Sequence, residues 1–166
     1  MPITSGLREA LESGIISRVE TLRLALVRLS IGDQPTEDLS DLAADALAHG
    51  IDSPSLRILA GTSKGDVREA RDLFVEAMEE LGVEMPSEAE ARRAMVRYWA
   101  TEMIAGTLTP YAGSRLIWWR GWEPLGRPDD LTLFVGLASQ WEDDPDRRPG
   151  YERDMLAAAS SLLEGT

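Results

Sequence analysis

Ile15-Ile16-Ser17-Arg18-Val19-Glu20-Thr21-Leu22-Arg23-Leu24-Ala25-Leu26-Val27-Arg28-Leu29-Ser30-Ile31, closed by Gly32-Asp33-Gln34-Pro35, decides the fold class. Ile15, Val19, Leu22, Leu26 and Leu29 recur at spacings of four and three, which is one face of a helix. Ile16, Leu24, Val27 and Ile31 widen the stripe, so the predicted helix packs on more than one side. Its near-heptad spacing also allows self-association, although it covers too few heptads for a coiled coil.

The same grammar continues downstream, with no alternating run that reads as a strand. Thr36 predicts an N-cap before the apolar face Leu39, Leu42, Ala43, Ala46 and Leu47, and Gly50 stands where a C′ glycine belongs. Asp52-Ser53-Pro54 combines a cap with proline at the first helical position, and Thr109-Pro110 repeats the device. Asp66 predicts the cap of a helix carrying Val67, Ala70, Leu73, Phe74, Ala77, Met78 and Leu81, closed by Gly82. Ser87 and Glu90 form a capping box for a helix reaching about Ala105. Pro128 opens a helix with Leu131, Phe134, Val135, Ala138 and Trp141 inward, and Pro149 opens the last, with Tyr151, Met155, Leu156, Ala159, Leu162 and Leu163. The expectation is an all-α fold without β-sheet, an irregular array or bundle of eight helices. Residues 1–166 form one helical domain, or a small N-terminal subdomain, 1–61, packed on 66–166 across Gly61 to Gly65.

Composition narrows the function. At 166 residues the length suits one domain, typically roughly 100 to 200 residues. No cysteine is present, which removes disulfides, thiolate metal sites and thiol nucleophiles, and fits a cytoplasmic location. Neither a basic leader nor an apolar h-region opens the chain, and no run approaches the ~18 apolar residues of a membrane span. Seventeen basic against 29 acidic residues leave a formal charge of −12, and Lys64 is the only lysine. Such a surface repels phosphate backbones, so nucleic acid is an unfavourable ligand and a basic protein a favourable one.

Catalytic and metal motifs are thin. His49 is the only histidine, which excludes any two-His metal site within the chain and leaves one conceivable base for a nucleophilic triad. Its place in the last turn before Gly50 fits a helix C-terminal contact. Gly61-Thr62-Ser63-Lys64-Gly65 glances at a phosphate loop, but Lys precedes the glycine instead of following it. Glu142-Asp143-Asp144-Pro145-Asp146 is dense in carboxylates, yet Gly150 falls one position too late for an EF-hand counted from Asp144. No catalytic residue, metal ligand or cofactor is assigned.

Two clusters stand out. From Ile31 to Leu56 there is no Lys or Arg, while Asp38, Asp41 and Asp45 share one helix face. The face is either a solvated surface or a docking surface for a basic protein, with these three as electrostatic contacts. The second cluster is aromatic, since nine of the ten aromatics fall between Tyr98 and Tyr151. Trp118, Trp119 and Trp122 crowd one stretch beside Arg115 and Arg120. On an α-helix Trp118 and Trp119 point about 100° apart and cannot share a narrow groove. A tryptophan-rich core, an exposed anchor built on Arg115, Trp118 and Trp122, and a small-molecule pocket all remain open.

Asp52-Ser53-Pro54-Ser55-Leu56-Arg57-Ile58-Leu59-Ala60-Gly61, Pro110-Tyr111-Ala112-Gly113-Ser114-Arg115-Leu116-Ile117-Trp118 and the acidic Trp141-Glu142-Asp143-Asp144-Pro145 resemble stretches of a group of small acidic bacterial proteins of uncharacterised function. The resemblance spans roughly Glu37 to Leu163. It implies a bacterial cytoplasmic origin and an all-helical fold, and it transfers no activity. The leading expectation is a non-enzymatic, acidic protein-binding module, such as a small adaptor or an immunity-type antagonist of a basic toxin. The alternative is a small-molecule binder or hydrolase with an aromatic pocket in the C-terminal half.

Overall fold

The computed structural model describes residues 5–63 and 65–165, with side chains described from Arg18 onward. Over these residues the chain is 77% helical, with eight α-helices and no strand. They are α1 (Ser5–Ser30), α2 (Leu39–Ala48), α3 (Pro54–Ala60), α4 (Val67–Glu80), α5 (Glu88–Ala105), α6 (Pro110–Leu116), α7 (Thr132–Asp143) and α8 (Arg148–Glu164). Ile15 and Ile16, on which part of the α1 stripe rests, and Lys64 of the glycine loop lie outside the described side chains. None of the described helices is long and apolar enough to cross a membrane.

The chain divides into two compact units, Met1–Ser87 and Glu88–Thr166. The division falls at the start of α5, and the Gly61–Gly65 loop lies inside the first unit.

In the first unit, Leu22, Leu26 and Leu29 of α1 are buried with Leu39, Ala43 and Ala46 of α2, Leu56 and Leu59 of α3, and Phe74, Ala77 and Met78 of α4. Each set repeats at helical spacing, so one stripe per helix enters a common core. The caps explain where the helices begin. Ser53 Oγ accepts from the Leu56 N–H at 3.2 Å, and Asp66 accepts from the Glu69 N–H at 3.2 Å. Glu80 then reaches from α4 to the first turn of α3, accepting from the Ser55 N–H at 3.0 Å and the Ser55 hydroxyl at 2.8 Å. Thr36 corrects the sequence reading. It opens a 3-10 helical turn, Thr36–Asp38, and its side chain caps nothing, so α2 starts at Leu39 without a side-chain cap.

In the second unit, Met95, Val96, Trp99 and Met103 of α5 are buried with Ile117, Leu131, Phe134, Ala138, Met155 and Ala159. Thr109 caps α6 through the Ala112 N–H. Arg97 caps the other end of α8, donating to the Leu162 and Leu163 carbonyls at 3.1 Å each. α6 and the segment Ile117–Trp122 that follows it each run against α5 at a glycine: a Cβ on Gly113 would lie 2.3 Å from Met103 Cγ, and one on Gly121 would lie 2.5 Å from Val96 Cγ2. Only glycine lets the backbones come this close.

Past Leu116 the helix does not continue as α. Ile117–Trp122 is a π-helical segment, with the Glu123 N–H bonded to the Trp118 carbonyl at 3.0 Å. The chain then turns through Gly126 (φ 81°) and Arg127 (φ 61°), and the Arg127 N–H bonds the Trp122 carbonyl at 2.8 Å. A left-handed conformation is uncommon for a residue with a Cβ. Arg127 is held there by its guanidinium, 5.3 Å from the Trp122 ring centroid and 3.3 Å from Glu123.

Candidate functional site

The structure sets Asp38, Asp41 and Asp45 along one open groove between α1 and α2, of about 420 Å³. Asp38 closes the 3-10 turn and is exposed, Asp41 is exposed on the first turn of α2, and Asp45 lies one turn further on. The facing wall comes from α1 and carries Arg18 and Arg28. Arg18 Nη1 pairs with Asp45 at 3.0 Å, and its Nη2 lies 3.5 Å from His49 Nε2. The His49 ring closes α2, with Nδ1 at 2.8 Å from the Asp45 carbonyl oxygen, so the imidazole acts as a C-terminal contact. The arginine-free stretch of sequence is therefore not free of arginine in space. Nothing local signals this, because Arg18 and Asp45 belong to different helices. Arg28 Nε is buried with no hydrogen-bond partner among the protein's atoms.

The aromatic residues form two groups within the second unit. Trp118 and Trp119 stack with centroids 4.9 Å apart and planes at 9°. The two rings come together within the π-helical turn, which corrects the expectation that neighbouring helical positions hold them apart. Trp119 is 52% exposed, whereas Trp118 is partly buried and its Nε1 has no partner. Trp122 Nε1 donates to the Thr132 hydroxyl at 3.2 Å. Arg115 is not beside these tryptophans in its bonding; it donates to Glu142 at 2.6 Å and to the Tyr111 oxygen at 3.1 Å. Tyr111 in turn donates to the same Glu142 oxygen at 2.6 Å.

That triad joins α6 to α7 and borders a ring stack. Tyr111 lies over Trp141 at 3.8 Å and 14°, and the Arg148 guanidinium carbon is also 3.8 Å from the Trp141 centroid. Two groups that close to one ring occupy opposite faces, so Trp141 is sandwiched between a ring and a cation. Trp141 Nε1 donates to Glu152 at 3.0 Å. Hydrogen bonds from Tyr111 and then Arg115 hold the Glu142 carboxyl below its usual range, outweighing the opposing desolvation. Asp144 is lowered mainly by its bond from Arg147. Tyr111 and Arg115 are one turn apart on a helix face, a pairing legible in sequence; their acceptor Glu142 is not.

Among the described residues, eight of the chain's sixteen arginines are seen paired with its own carboxylates: Arg18, Arg23, Arg57, Arg92, Arg93, Arg115, Arg127 and Arg147. Among the described residues no cluster of three His, Cys, Asp or Glu is arranged to hold a metal ion. The groove between α7 and α8 is lined by Phe134 but by no tryptophan or tyrosine. No family model matches the chain, and no curated protein and no solved structure gives a match.

Proposed function

We propose that the chain is a protein-binding module for a basic partner, with the α1–α2 groove as its electrostatic contact surface. The observation that carries this reading is the exposure of Asp38 and Asp41 on the wall of an open groove in a chain of charge −12. The excess of acidic over basic residues sets the sign of the field presented outward, which steers a cationic partner. Asp38 and Asp41, both exposed in the groove, are the contacts for the partner's Lys or Arg. Asp45 has a different part, because it holds Arg18 and thereby α1 to α2. An immunity-type antagonist of a basic toxin is the most specific form of the proposal, and a small adaptor is the more general one.

The test is affinity capture from extract of the source organism at low and high salt, followed by association kinetics with the captured protein. A basic protein retained at low salt and released at high salt supports the proposal. Asp38→Lys with Asp41→Lys should then slow association about tenfold or more at low salt and flatten its salt dependence. Unchanged kinetics in the double variant, or capture indifferent to salt, would overturn it.

A further inference from the structure

In the second unit, α7 and α8 leave an open groove of about 570 Å³ between them. Leu133 and Leu137 form one wall, and Ala157, Ala158 and Leu162 form the other. Leu133 is 58% exposed, the highest exposure of any described large apolar side chain, while Phe134 beneath it is buried. The α8 wall presents the small side chains Ala157 and Ala158 and, one turn on, Ser161, so a visiting side chain can approach the helix closely. An apolar trough with a protruding leucine matches the core of a protein interface.

The rim decides what fits. Asp154 lines the groove from α8 with no ion-pair or hydrogen-bond partner among the described residues. Asp130 lines the other end and is bonded to Arg93 at 2.6 Å. Arg97, close to the α8 terminus, has both its terminal nitrogens on the Leu162 and Leu163 carbonyls. The uncompensated charge among the groove's lining residues is thus negative. A second copy would bring acidic rim against acidic rim, whereas a cationic occupant neutralises Asp154.

We propose that the α7–α8 groove receives one amphipathic helix of a partner protein. Its apolar residues, at i, i+3 or i+4, and i+7, would fill the trough, and Lys or Arg on its flank would meet Asp154. The inference rests on the protein-binding reading above and places a helix-accepting surface in the second unit, separate from the α1–α2 groove.

The experiment is selection of a helical-peptide display library on the full chain. The expected winners carry the apolar periodicity with flanking Lys or Arg. A synthetic copy of the most enriched peptide should bind Ala157→Trp and Asp154→Lys at least about tenfold more weakly than the parent. It should bind the Asp38→Lys, Asp41→Lys double variant unchanged. Ala157 and Asp154 are exposed, so both variants should keep the parent helicity and melting temperature, which circular dichroism checks. No enrichment, winners without the periodicity or the cations, or equal binding to Ala157→Trp would each overturn the inference. Binding lost only in the Asp38→Lys, Asp41→Lys variant would overturn it while leaving the α1–α2 reading standing. A concentration-dependent dimer abolished by Ala157→Trp would instead name a second copy as the occupant.

Discussion

At Gly121 one missing methyl sets the distance between the π-helical segment and α5, since a Cβ there would stand 2.5 Å from Val96 Cγ2. Ala is the better helix former by about 1 kcal/mol, which favours substitution. Against that, Val96 is 1% exposed and β-branched, so its χ1 has almost no freedom to retreat. Overpacking of this kind costs about 1–3 kcal/mol, and the clash should win. Gly121→Ala is expected to lower stability to urea by about 1 kcal/mol net, with partial recovery in the Val96→Ala background. Gly113→Ala should lose at least as much, because its Cβ would fall 2.3 Å from both Cγ and Sδ of the buried Met103 and 3.3 Å from Leu108 Cδ2. A smaller loss at Gly113 than at Gly121 would contradict the ordering. Neither close approach is legible in the sequence, because what fixes each is a side chain from another helix.

Between elements, the local signals and the long-range ones part company. Ser53, Asp66 and Thr109 cap the helices that follow them, as their short-range patterns predict, and Gly50, Gly82 and Gly106 close helices in the left-handed conformation. These devices act within four residues, so a single sequence exposes them. Thr36 misleads because a 3-10 turn intervenes before α2, and the Ile117–Trp122 stretch misleads because apolar spacing alone does not reveal a π turn. The bond from α6 to α7 through Tyr111, Arg115 and Glu142 is equally hidden, for its partners stand 31 and 27 positions apart. Its pH response follows from the lowered Glu142 carboxyl. A carboxyl lowered in the folded state contributes stability above its unfolded value, about 4.3, and loses it as pH falls through the folded value. Melting temperature is therefore expected to fall on acidification below about pH 4.3, and Glu142→Gln should flatten that part of the profile while lowering the plateau near neutrality. An acid limb identical in Glu142→Gln would remove this pairing from the account.

For the whole molecule, composition gives the net charge but not its wiring. The charge of −12 is visible in the sequence, and so is the all-helical content. The pairing of arginine with carboxylate is not, because it is settled by which helices meet. One consequence concerns how the chain responds to pH as an electrical body. Guanidinium groups keep their proton at every accessible pH, so each pair opens only when its carboxylate is protonated. The chain has one histidine, no cysteine and a single lysine, so few side chains exchange protons between about pH 7 and pH 9. Electrophoretic mobility is expected to stay nearly flat across that window and to vanish near the isoelectric point of about 4.5. A mobility that drifts steeply between pH 7 and 9 would contradict this. Such a molecule has almost no charge capacitance near neutrality: an approaching cation, or a modest change in acidity, cannot make it take up or release protons to adjust its charge. It behaves as a permanently charged body rather than a regulated one, and near neutrality the reach of its field is set by salt more than by pH.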